Sequence, residues 1–231
     1  MRTIGMIGGL SWYSTLEYYR VVNEEVQARV GGHASAPIAL QSLDFAAIRA
    51  CQQRDDWDLA GRILADAGRR CEAAGAEFVL ICSNLMHRVF DDVRAAVDVP
   101  VLHIADAVAA VAERRGWSRL GLLGTRLLME QPFYAGRLAG AGLDVVVPDD
   151  AERAMVDRVI FDELTQGRVE DGSREEYVAT IDRLTERGAE AVVLACTEIG
   201  LLVTPRDTAA PLLDSMRAHA VRAVDLSLAD G

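Results

Sequence analysis

The sequence predicts an α/β protein built on parallel sheets and folded as two related lobes. Two observations carry the class and a third carries the duplication. Short apolar runs alternate with longer stretches patterned as amphipathic helices. The short runs are almost continuously hydrophobic, without the in-out alternation of a half-exposed sheet, so they read as parallel strands covered on both faces. Finally, segments of the first half of the chain recur, in the same order, in the second.

Taken in order, strands are predicted at Thr3–Ile7, Pro37–Leu43, Glu77–Cys82, Val99–Leu102, Arg119–Leu123, Leu143–Val147 and Glu190–Ala195. Ser14-Thr15-Leu16-Glu17 has the spacing of a capping box, in which hydroxyl and carboxylate satisfy each other's backbone donors; it predicts a helix opening there and running to about Arg29. The stretch from Asp55 to Ala74, stopped by Gly75, predicts a long helix, and Ser173 with Glu176 predicts a second capping box on a helix that ends at Gly188. Repetition of strand and helix in this way is the pattern of an α/β fold.

The duplication is specific. Gly75-Ala76-Glu77-Phe78-Val79-Leu80-Ile81 corresponds to Gly188-Ala189-Glu190-Ala191-Val192-Val193-Leu194, 113 residues later. Ile4-Gly5-Met6-Ile7-Gly8-Gly9 corresponds to Leu120-Gly121-Leu122-Leu123-Gly124-Thr125, 116 residues later. Two matches in one order at nearly one offset predict two α/β lobes: residues 1–103 with 212–231 returning as a helix, and residues 104–211. Ligands of open parallel sheets sit beyond the carboxyl ends of the strands, so the loops there are expected to line a cleft between the lobes.

Composition narrows the function. The 231 residues include 35 acidic and 24 basic side chains, a formal charge of −11. Such a surface argues against nucleic acid as a partner, because phosphate binding needs a basic patch. No apolar stretch reaches the ~18 residues of a membrane span. The first residues lack the pattern of a secretory signal. The four cysteines, Cys51, Cys71, Cys82 and Cys196, show neither CxxC spacing nor a disulfide framework, so free thiols and a cytoplasmic location are expected. The four histidines have no HxxH or HxxxH pairing, and no metal site is expected.

Carrying the 113-residue offset one step past the GAE-led strands sets Ser83 opposite Cys196. Each falls at a strand end among polar neighbours, Asn84 in one case and Thr197-Glu198 in the other. Two proton-transfer groups facing one another suit the inversion of a carbon centre, which removes a proton from one face and delivers another to the opposite face.

Four segments then carry a resemblance to the aspartate/glutamate racemase family, the cofactor-independent amino-acid racemases. Ile7-Gly8-Gly9-Leu10-Ser11-Trp12-Tyr13-Ser14-Thr15, continued by Tyr18-Tyr19 and Asn23, resembles the opening GGMSWEST turn. Cys82-Ser83-Asn84-Leu85-Met86-His87 resembles the first catalytic loop, Leu123-Gly124-Thr125-Arg126 with Met129-Glu130 the GTR turn, and Ala195-Cys196-Thr197-Glu198-Ile199 the second catalytic loop. The resemblance implies two α/β lobes, an active site between them, a homodimer, and racemisation of aspartate or glutamate with no cofactor. The chain has no Lys with which a pyridoxal Schiff base could form. It makes Cys196 and Ser83 the catalytic pair and places Leu10, Gln52, Ser83, Asn84, Leu85, Thr125, Thr197 and Glu198 around the substrate. A cysteine suits the role because an unperturbed thiol has a pKa near ~8.5 and helix N-termini can lower it.

This chain departs from the family at three places. Ser83 stands where a cysteine or threonine is usual, so Cys196 is expected to abstract efficiently while Ser83 mainly donates, a bias towards one enantiomer. Cys82, one residue out of register, is read as a buried structural thiol. Leu85 replaces a threonine, removing one donor to a carboxylate at a cost of ~1.5–3 kcal/mol. Where some members hold a carboxylate with a second-lobe Lys, Ile160-Phe161-Asp162-Glu163-Leu164 has none. The candidates for anion binding are Arg49, Gln52, Gln53 and Arg54 in the loop after the second strand, Arg126, and backbone N–H groups after the strands. Glu163 is a candidate for the substrate ammonium, with a surface glutamate as the bland reading. His87 is read as a cap or as orienting Ser83, His103 as packed against Asp106, and Trp12, Trp57 and Trp117 as packing residues. The alternatives kept beside an acidic amino acid are another amino acid, a hydantoin, maleate isomerisation, malonate decarboxylation, a hydrolase using Cys196 and a non-catalytic binding protein.

Overall fold

The computed structural model describes residues 1–229. Along the chain the elements are β1 (Ile4–Gly8), α1 (Trp12–Val30), β2 (Ile38–Ser42), α2 (Phe45–Gln53), α3 (Trp57–Ala73), β3 (Phe78–Ile81), a 3-10 turn (Leu85–Val89), α4 (Phe90–Ala96), β4 (Val101–Leu102) and α5 (Ile104–Arg115). There follow β5 (Arg119–Gly124), α6 (Arg126–Glu130), α7 (Pro132–Gly140), β6 (Asp144–Val146), α8 (Asp150–Asp162), a second 3-10 turn (Leu164–Gln166), α9 (Asp171–Glu186), β7 (Ala191–Ala195), α10 (Ile199–Leu202), β8 (Leu212–Asp214) and α11 (Ser215–Leu228).

The chain forms two compact units, Met1–Ile104 with the segment from His219, and Ala105–Ala218. Each holds a four-stranded parallel sheet, ordered β2-β1-β3-β4 in the first and β6-β5-β7-β8 in the second. The corresponding strands take corresponding places, as the internal echo requires. The central strands of the first unit are buried along their whole length, Ile4, Met6 and Ile7 in β1 and all four residues of β3 among them. β7 is buried throughout in the second, packed with Val156, Val159, Tyr177 and Ile181.

Three sequence expectations change. The expectation that residues 212–231 all return to the first lobe does not hold, because Leu212–Asp214 pairs with β7 in the second sheet. The run is three residues long and follows Pro211, too short to register as a strand by pattern. Only from His219 does the chain belong to the first unit, where Tyr18 Oη meets His219 Nδ1 at 2.9 Å and Arg29 pairs with Asp225 at 2.6 Å. The expected capping boxes are absent. α1 begins at Trp12, and Ser173 lies inside the first turn of α9, where its hydroxyl donates to Glu163 Oε2 at 2.6 Å. The reciprocal box of the chain is Asp149 with Glu152, opening α8. Arg49, Gln52 and Gln53 lie on helix α2, which Arg54 ends, where a loop was expected.

Candidate active site

The predicted catalytic and substrate-binding residues other than Gln52 follow the carboxyl ends of strands, whereas the candidates Arg49, Gln53 and Arg54 belong to α2 and Glu163 ends α8. In the first unit, β1 ends in Gly8 and the chain turns through Gly9-Leu10-Ser11. Gly9 has φ +72°, and a Cβ there would stand 2.1 Å from the Leu43 carbonyl oxygen, so no larger residue fits. Ser11 has φ 144°, a conformation that costs a non-glycine residue ~1–3 kcal/mol. What holds the turn is the pair of hydroxyls that the capping-box reading gave to the helix end. Thr15 Oγ1 accepts from Gly9 N at 2.8 Å and donates to the Ser11 carbonyl at 3.1 Å. Ser14 Oγ donates to the Cys82 carbonyl at 3.1 Å, tying the turn to the loop after β3.

That loop carries the first catalytic candidate. Cys82 is wholly buried and burial pushes its thiol far up, which makes it structural. Ser83, one residue on, is half-buried, and its N–H donates to the Ile81 carbonyl at 2.8 Å. Its hydroxyl accepts from Met86 N at 3.5 Å, and among the described residues no side-chain base is bonded to it. Asn84 opens the 3-10 turn and is 4% exposed, with Oδ1 lacking a partner. Leu10 and Leu85 are buried. Gln52 reaches this loop from α2: its amide donates to Met86 Sδ at 3.2 Å and its carbonyl accepts from Arg49 at 3.0 Å. His87 meets the Ser83 carbonyl, not the hydroxyl, at 2.7 Å. His103 packs against Phe90 and His87, while Asp106 forms a two-pronged pair with Arg137. Trp12 is exposed and stacks on Tyr13, in contrast to the packing role expected of it.

In the second unit, Thr125 follows β5 and Cys196 follows β7, strands paired from Leu120 with Ala191 to Gly124 with Ala195. Thr125 is buried with its Oγ1 unpartnered. Cys196 Sγ donates to Glu198 Oε2 at 3.1 Å, and Thr197 Oγ1 donates to the same oxygen at 2.7 Å. Glu198 is 4% exposed, and its second oxygen has no partner. The thiol of Cys196 is raised well above its ordinary value, first by burial and then by the Glu198 carboxylate. The backbone N–H of Glu198, at the start of the four-residue α10, favours the thiolate, but burial and the Glu198 carboxylate outweigh it. Cys196 therefore rests as a thiol, a proton donor.

The cationic candidates here are engaged. Arg126 Nε pairs with Glu130 at 2.7 Å, and its backbone N–H donates to Asp157. Glu163 is held by Arg158 at 2.9 Å and by Ser173. Buried Tyr177, which no motif in the sequence marks, donates its hydroxyl to the Val156 carbonyl in the same unit. Among the described residues, no group of three or more His, Cys, Asp or Glu could hold a metal, and no helix is long and apolar enough to cross a membrane.

Two parallel four-stranded sheets of one strand order, each carrying polar loops beyond its third strand, define the class: a duplicated α/β fold. Residues 7–223 match the Asp/Glu/Hydantoin racemase family model, and the chain belongs to that family. A putative Asp/Glu racemase from Yersinia pestis is 44% identical, with a TM-score of 0.93 over 99% of this chain and 100% of that one. An aspartate racemase homologue from Pyrococcus horikoshii OT3 is 34% identical, with a TM-score of 0.84 over 98% and 99%. Among curated relatives, the broad specificity amino-acid racemase RacX of Bacillus subtilis (strain 168) is 21% identical over 75% of each chain.

Proposed function

We propose that the protein is a cofactor-independent amino-acid racemase that inverts the α-carbon by two-base proton transfer, with Cys196 serving one face and Ser83 the other. The observation that carries this reading is the equivalence of their positions. Ser83 follows β3 and Cys196 follows β7, the strands third in order in two sheets of one topology. In one direction Ser83, its hydroxyl proton released to solvent, takes the substrate's α-proton as an alkoxide, and Cys196 gives its thiol proton to the carbanion. In the other, Cys196 hands its thiol proton to Glu198 and abstracts as a thiolate, and Ser83 gives its hydroxyl proton to the carbanion. A serine is a weak acid and needs activation to act as a base. The bare hydroxyl of Ser83 thus makes abstraction on its side the slower half-reaction, and the bias is kinetic because enantiomers have an equilibrium constant of one.

The substrate of this reading is aspartate or glutamate, in keeping with the family and with the Yersinia and Pyrococcus relatives. Backbone N–H groups after Gly9 and in the 3-10 turn, with Gln52 braced by Arg49, are the proposed carboxylate donors. The unpartnered oxygen of Glu198 is the proposed acceptor for the substrate ammonium. One observation favours a second reading, in which the amino acid is not acidic. The second-unit edge presents a buried glutamate, and two arginines of that unit, Arg126 and Arg158, are paired with Glu130 and Glu163. The exposed residues Trp12, Leu16 and Tyr19 recur on one side of α1 and suit the proposed homodimer.

The test is α-proton exchange in heavy water, followed by NMR, with both enantiomers of aspartate, glutamate, alanine and lysine. Exchange with the acidic pair supports the first reading and exchange with lysine alone the second. No exchange with any amino acid would defeat both.

A further inference from the structure

We infer that His87 is a positioning residue for Ser83, a neutral imidazole that fastens the Ser83 carbonyl to the amide of Ile104, where the chain leaves the first unit. The inference rests on the assignment of Ser83 as a proton-transfer group. His87 is 2% exposed and both ring nitrogens are engaged: Nδ1 with the Ser83 carbonyl at 2.7 Å, Nε2 with the Ile104 N–H at 3.1 Å. A backbone N–H only donates and a carbonyl only accepts, so these partners fix the tautomer. Nε2 carries the lone pair and Nδ1 the hydrogen. An imidazolium at this place would set N–H against N–H and lose the Ile104 bond.

The surroundings reinforce that state. His103 lies 4.5 Å and His219 5.7 Å from the His87 ring, centroid to centroid. His219 is fixed by the same logic: its Nε2 faces the Leu102 carbonyl at 3.2 Å and must carry hydrogen, so its Nδ1 accepts from Tyr18 Oη at 2.9 Å. Ile104 ends the first stretch of this unit and His219 begins its second. The ring cluster thus joins the catalytic loop to both places where the chain crosses between units.

On the loop itself, three consecutive backbone groups are held. The Cys82 carbonyl accepts from Ser14, the Ser83 N–H donates to Ile81, and the Ser83 carbonyl accepts from His87. Only the Ser83 hydroxyl, with its long contact to Met86, is left to turn towards a substrate. His87 acts on where that hydroxyl stands, not on its proton.

The test uses the full chain. Nitrogen-15 NMR of the wild-type protein reads the tautomer directly and should show His87 protonated at Nδ1 with Nε2 unprotonated. In heavy water, Ser83→Ala defines the enantiomer whose α-proton exchange depends on Ser83. His87→Phe, which keeps the ring and removes both bonds, should reproduce that pattern, with about 10²-fold loss for that enantiomer and little for the other. His87→Asn, which restores an N–H at the Nδ1 position, should recover most of the loss. An Nε2–H tautomer in the wild type overturns the inference. So does an equal fall for both enantiomers in a folded His87→Phe protein, the result of a merely structural role. If His87→Phe does not fold, the tautomer and the Asn variant decide. Wild-type protein without exchange on any amino acid would instead sink the racemase reading, leaving the NMR result to stand or fall alone.

Discussion

At the scale of single residues, the proposed chemistry turns on the Cys196 thiol and the Glu198 carboxylate bonded to it. Glu198 Oε2 accepts from both Cys196 and Thr197, so the thiolate that abstraction requires forms only beside a negative charge or after that charge is neutralised. Replacing Glu198 with Gln removes the repulsion, and the Cys196 thiol should ionise at lower pH. Alkylation of Cys196, followed by peptide mass spectrometry against pH, should show its midpoint move down in Glu198→Gln. An unmoved or raised midpoint would mean that Glu198 does not set the thiol. Cys82→Ser should leave racemisation within a few-fold of wild type, since Cys82 is buried, whereas inactivity of that variant would overturn the register that puts Ser83 at the site. Asn84 suggests that register in the sequence, and the full burial of Cys82 beside half-buried Ser83 agrees with it. The state of Cys196 was not legible there, because it depends on which way a neighbouring side chain turns.

At the scale of elements, the runs of Val, Leu and Ile announced every strand but one. β8 escaped because Leu212–Asp214 is three residues long, and its place is fixed by pairing with β7 rather than by pattern. The hydroxyls of Ser14 and Thr15 misled for a different reason. Their spacing from Glu17 fits a cap, but the turn after Gly8-Gly9 and the loop after β3 need donors and acceptors more than the helix end does. Helix α11 carries a prediction of its own. Burial takes His219 down to about 3, so it stays neutral in the fold while an unfolded histidine would take up a proton near its ordinary value. A depressed pKa gives stability that is present above pH ~6.5 and is lost as pH falls towards 3, at up to ~1.4 kcal/mol per pH unit. His219→Gln keeps an acceptor for Tyr18 and a donor for Leu102. Thermal unfolding should therefore fall less steeply for it than for the wild type between pH 6.5 and 4. Parallel curves would show that His219 is not the titrating group.

At the scale of the whole molecule, the duplication explains most of what could be read in advance. Two GAE-led strands one offset apart foretold two sheets of one order, and the same offset paired Ser83 with Cys196. It could not mark where the chain returns to the first unit, since α11 has no echo to align and its place depends on contacts such as Arg29 with Asp225. The charge of −11 is a constraint on the enzyme more than a clue to it, because any anionic group of a substrate must be held by local donors. Assembly is open to direct measurement. If α1 forms the proposed dimer contact through Trp12, Leu16 and Tyr19, Leu16→Glu should shift the protein to monomer in sedimentation velocity. A wild-type monomer, or a Leu16→Glu dimer of unchanged stability, would remove α1 from the interface.

The central claim is that Cys196 and Ser83 move the α-proton on opposite faces of one carbon. Its most direct test is single-enantiomer α-proton exchange in heavy water with wild type, Cys196→Ser and Ser83→Ala. The account predicts exchange in the wild type from both enantiomers at unequal rates, with each variant suppressing mainly a different enantiomer. If both variants suppressed the same enantiomer, or neither changed exchange, the two residues would not serve opposite faces.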